Sequence, residues 1–74
     1  MTYDKFISSF QNEILPNKEH HIRHGQCLIN YLGDVWMEEY TRIVGEDKID
    51  CFYRDDLIPN CLEHLSKVWV NYPN

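Results

Sequence analysis

Apolar residues recur at helical spacing in three stretches of this chain. In the first, Tyr3, Phe6, Ile7, Phe10 and Ile14 form a narrow stripe. Thr2 stands where an N-terminal cap is wanted, and Asp4 suits the positive end of the first turn. Pro16 is expected to end this helix, because the residue before a proline avoids the helical region.

The second pattern runs from about His20 to Val44, and Gly45 follows where a left-handed terminal residue is favoured. At about 100° per residue, Ile22, Leu28, Ile29, Tyr31, Leu32, Val35, Trp36, Tyr40 and Ile43 fill close to half the circumference. So wide an arc predicts a long central helix touched by two others. Gly25 is expected to let another helix approach closely, at some cost to its own helix. Glu39 falls near the middle of the arc. Either it meets a cation or hydroxyl there, or that end of the helix is exposed; exposure is expected, since Glu is rarely fully buried.

The third stripe is Ile58, Cys61, Leu62, Leu65, Val68 and Trp69, with Asp55 or Asp56 expected as its cap and Pro59 tolerated in its first turn. The loop before it, "EDKIDCFYRDD", is charged at its ends and apolar in its centre. Ile49, Phe52 and Tyr53 are expected to plug the core. The fold class is therefore all-α: one compact three-helix domain over residues 1–74.

Composition agrees with a folded domain. The chain is 43% hydrophobic and carries ten aromatics, unlike disordered sequences. No run is long and apolar enough for a transmembrane helix, and "MTYDKFISSF" lacks the cationic and apolar regions of a signal peptide. Cys27, Cys51 and Cys61 are odd in number and form no CxxC pair, which suits reduced thiols in a cytoplasm, with Cys61 as a small core hydrophobe. A core this small also favours self-association, and a homo-dimer is a candidate state.

Charge narrows the partners. The net charge is −5, and residues 34–63 hold nine acids against three bases. Direct binding to nucleic acid is disfavoured, since phosphate neutralisation needs Lys and Arg. A protein partner fits, as does mimicry of nucleic acid as an acidic inhibitor.

Little catalytic chemistry is visible. His20, His24 and Cys27 lie at i, i+4 and i+7 and could offer three metal ligands, but no second ligand cluster or HExxH motif accompanies them. Solvated histidines at a helix start are the expected reading. Cys27 beside a histidine could serve as a nucleophile, yet short helices offer little of the pocket such chemistry needs. No enzyme activity and no cofactor are expected. Opposite the apolar arc lie Gln26, Asn30, Gly33 and Met37, flanked by Arg23 and Thr41, a low-charge strip suited to contact with a protein.

"RHGQCLINYL" followed by "DCFYRDDLIPNCLEHL" resembles a pattern, RxGQxxxNxL then DxFYxD, found in short uncharacterised phage and bacterial proteins. The residues carried over are Arg23, Gly25, Gln26, Asn30, Leu32, Asp50, Phe52, Tyr53 and Asp56, across about residues 23–65. Where the pattern places proline before phenylalanine, this chain has Cys51. The resemblance implies a small intracellular, phage-encoded protein and no activity. Taken with the contact strip, it leads to the expectation of an interaction protein that binds and modulates a host or phage protein through Arg23, Gln26, Asn30, Tyr53 and Asp56.

Overall fold

The computed structural model describes residues 1–73. Among them the chain forms four α-helices: α1 (Tyr3–Ser9), α2 (His24–Val35), α3 (Met37–Ile43) and α4 (Ile58–Val68). The all-α class holds. The single long central helix does not: it is two helices meeting at Trp36.

The Thr2 hydroxyl caps α1 by accepting from the Lys5 N–H at 3.1 Å. The helix does not stop before Pro16. It widens into a π-turn over Phe10–Ile14 and tightens into a 3₁₀ turn over Leu15–Asn17. Leu15, directly ahead of the proline, is helical, at φ −61° and ψ −45°. In the wide turn the Leu15 N–H reaches back to the Phe10 carbonyl. This shift takes Pro16 out of regular α-helical register, where its ring would strike the carbonyl four residues back.

The second helix begins at His24, four residues later than the pattern suggests, because His20–Ile22 form a turn closed by Ile22 N–H on the Glu19 carbonyl at 3.0 Å. It ends at Val35, where Trp36 leaves helical geometry with φ −152° and ψ 76°. No proline or glycine stands at the break. Tertiary packing accounts for it. Trp36 places its ring edge-on against Trp69 and Tyr72, with centroids 5.2 and 5.3 Å away. After the break α3 folds back, and the Tyr40 ring lies over Gly33, where an added Cβ would sit 3.1 Å from the ring.

Aromatic contacts join the helices. Phe6 of α1 stacks on Tyr31 of α2 at 5.0 Å and tilts against Trp69 at 4.7 Å. Tyr72 turns back to stack on Trp69 at 5.0 Å. Three polar edges of this cluster find a carbonyl: Trp69 Nε1 donates to Met1, Tyr3 Oη to Leu62 and Tyr72 Oη to Val35, whereas Trp36 Nε1 is buried without a partner among the described residues. Leu28, Ile29, Leu32, Ile43 and Leu65 complete the core with no exposed surface. Cys61 is fully buried beside them, as expected of a small hydrophobe.

Candidate functional site

The two motif segments meet at Gly25. Its position leaves no room for a side chain, since a Cβ there would lie 2.0 Å from the Cys51 carbonyl oxygen. The Gly25 N–H donates to Asp55 Oδ1 at 2.9 Å, and the Cys51 thiol donates to the Gly25 carbonyl at 3.6 Å. Arg23, the residue at the N-cap of α2, makes no capping bond with its own side chain. The cap comes instead from Asp55, thirty residues away. Asp55 therefore caps α2 and not the helix that follows it, and α4 begins without a side-chain cap. Its start is a 3₁₀ turn, Asp55–Leu57.

This arrangement separates Asp55 from Asp56. The assignment of the pattern's last acid to Asp56 is corrected: in DCFYRD the last position of DxFYxD is Asp55, and that carboxylate carries the tertiary contact. Asp56 pairs with Arg54 at 2.9 and 2.6 Å, and those hydrogen bonds hold its carboxyl below the usual carboxylate range. Asp55→Ala is expected to cost about 1 kcal/mol, whereas Asp56→Ala leaves the melting curve in place. Equal losses in thermal denaturation would contradict the assignment.

Cys51 fills the position where the pattern has proline. It is fully buried, so the plug in the core is Cys51 with half-buried Ile49 and Phe52. Tyr53 does not plug the core; it is 74% exposed. Its loop is nonetheless held closely. Asp50 accepts from the Gly45 N–H at 2.8 Å and from the Phe52 N–H at 3.0 Å, and Arg54 N–H bonds the Cys51 carbonyl at 3.1 Å. Gly45 adopts the left-handed conformation expected of it, φ 90°.

The remaining motif residues are dispersed. Arg23 is exposed and Gln26 half-buried at the corner where α2 meets the loop. Asn30 is exposed and lines a separate groove of about 300 Å³ with Ile14, Ile22 and Tyr31. Tyr53 opens instead onto a recess of about 210 Å³ lined by Tyr40, Val44, Asp50 and Phe52. Met37 and Val44 are also strongly exposed.

Glu39 reverses the expectation of exposure. It is 2% exposed, at the base of a cleft of about 480 Å³ between α3 and α4. Arg42 Nη1 lies 2.9 Å from Oε1, and His64 Nε2 lies 2.7 Å from Oε2. The buried carboxylate is tolerated because both oxygens meet a donor-capable partner. His64 sits on the edge of the third apolar stripe, next to Leu65. The signal for this pair in the sequence is a carboxylate inside one arc and an imidazole beside the other.

His20, His24 and Cys27 do not share a face, since only the last two lie in α2. Among the described residues no group of three or more His, Cys, Asp or Glu side chains is placed to hold a metal. The thiols are enclosed as well. Burial pushes the Cys27 thiol up, and the hydrogen-bonded Cys51 together with burial pushes Cys61 up strongly. Ellman's reagent is expected to titrate them only on denaturation; rapid reaction in the native protein would contradict their burial. No helix of the described residues is long and apolar enough to cross a membrane. No protein family, curated protein or solved structure matches this chain.

Proposed function

We propose that this chain is a small interaction protein that binds and modulates another protein in the cytoplasm, through a surface centred on Tyr53. One observation carries the reading: a 74% exposed aromatic ring on a loop whose backbone is bonded in place. An aromatic side chain presented without loop disorder anchors a partner at little ordering cost. Arg23 and Gln26, at the corner next to this loop, and Asp56 with its Arg54 partner supply polar contacts around the ring. Asn30, on a separate groove of α2, would join the contact only with a partner large enough to reach it. The resemblance to short phage proteins makes a host protein the candidate partner.

The acidic-decoy reading has less support. Glu39, Asp50 and Asp55 commit their carboxylates to internal bonds, and Glu38, Asp56 and Glu63 face basic neighbours. A second copy of the chain could occupy the same surface, and light scattering across a concentration range tests for it.

The main test is capture from host lysate with wild-type and variant chains. Tyr53→Ala is expected to leave the melting temperature unchanged while reducing capture of the specific partner by about tenfold or more, the loss of an aromatic anchor. Gln26→Ala with Asn30→Ala should weaken capture less. Undiminished capture by Tyr53→Ala would overturn the proposal.

A further inference from the structure

The recess beside Tyr53 has an unusual lining for a surface groove. Three of its five residues are aromatic, Tyr40, Phe52 and Tyr53; the others are Val44 and Asp50. It contains no basic side chain. The Phe52 and Tyr53 rings stand 4.8 Å apart between centroids and 71° to one another, so two walls meet near a right angle. Aromatic faces carry negative potential and attract organic cations.

The carboxylate strengthens this preference. Each Asp50 oxygen accepts one backbone N–H, from Gly45 and Phe52, which fixes the group in place. A carboxylate oxygen can accept a further donor, so capacity remains. A second recess of about 200 Å³ adjoins the first, sharing Asp50 and Tyr53 and adding Glu46 and Asp47. Its one base, Arg54, is engaged by Asp56. An anion is disfavoured here by charge. A neutral apolar group would remove water from Asp50 and return no donor.

We propose that this recess receives a cationic side chain, the ammonium of a lysine or the guanidinium of an arginine, from the bound protein. The inference rests on the interaction reading above and names the chemistry of the partner. Cation over ring face, carboxylate behind and acidic rim act together: the chain's net charge of −5 steers a basic segment inward, and Tyr53 closes over its apolar stem.

The test is aromatic NMR of the full chain at fixed ionic strength. It is titrated with N-acetyl-lysine methylamide, N-acetyl-arginine methylamide and the uncharged isostere N-acetyl-norleucine methylamide. Shifts are expected at Tyr40, Phe52 and Tyr53, with the charged amides binding about three- to tenfold more tightly than norleucine. Tyr53→Phe should keep that preference and Tyr53→Leu should weaken it by about threefold; both substitutions sit at an exposed position and are expected to leave the fold intact. Norleucine binding as tightly as lysine, or an unchanged preference in Tyr53→Leu, would overturn the cation. So would binding of tetramethylammonium with neither charged amide, which would assign the recess to a free alkylammonium. Loss of partner capture in Tyr53→Ala alongside equal lysine and norleucine binding removes only this inference; undiminished capture removes the interaction reading itself.

Discussion

Gly25→Ala is expected to destabilise the protein by about 3 kcal/mol, lowering its melting temperature by roughly 12–24 °C for a domain of this size. Helix propensity alone argues the reverse, since alanine inside a helix is favoured over glycine by about 1 kcal/mol. The tertiary contact wins because the new Cβ would meet the Cys51 carbonyl oxygen at 2.0 Å and its carbon at 3.0 Å. Backbone cannot rotate aside as a side chain can. The loop must withdraw, which breaks the Gly25 N–H bond to Asp55 and the Cys51 thiol bond to Gly25. Gly33→Ala is the control in the same helix. Its Cβ would meet only the half-buried Tyr40 ring, at 3.1 Å, and that ring can shift. Thermal denaturation followed by circular dichroism compares the two. A Gly25→Ala chain as stable as the native one would show that the loop does not dock as described.

His64→Ala is expected to cost about 2 kcal/mol, and Glu39→Met less than about 1 kcal/mol, although Glu39 is the more buried residue. Removing the imidazole leaves Glu39 Oε2 without its 2.7 Å partner in a position that is 2% exposed. Removing the carboxylate frees an imidazole and a guanidinium whose side chains are 30% and 61% exposed, so water takes over their bonds. Methionine keeps the volume filled. In the Glu39→Met background, His64→Ala should then cost a few tenths of a kcal/mol, giving a coupling of about 1.5 kcal/mol between the two sites. Additive losses in urea denaturation would mean that the pair contributes nothing.

These two sites differ in how far the sequence announced them. Gly25 stood out in the second apolar pattern as a place for close approach, but by another helix, whereas a loop fills it. That its neighbour would be the Cys51 backbone depended on a loop returning across twenty-six residues, which no local pattern encodes. The Glu39 and His64 pair was partly legible, since each lies on or beside an apolar stripe. A preference for exposing Glu misplaced it, because that preference takes no account of a partner on another helix. Asp55 and Asp56 are chemically identical neighbours. Only the path of the chain decided that one caps α2 while the other pairs with Arg54.

The sequence by itself determined the all-α class, the Thr2 cap, the left-handed turn at Gly45, the stripe of α4 and most of the core. These follow from side-chain periodicity and from backbone preferences within a few residues. The tertiary structure decided the break at Trp36, the passage of helix through Pro16, the distant cap on α2, the burial of Glu39 and the exposure of Tyr53. At Trp36, at the α2 cap and at Glu39, contacts between residues far apart in the chain outweigh a local preference of about 1 kcal/mol or a few; the helix passes Pro16 through a local shift to the Leu15–Phe10 bond, and the Tyr53 loop is held by bonds within a few residues.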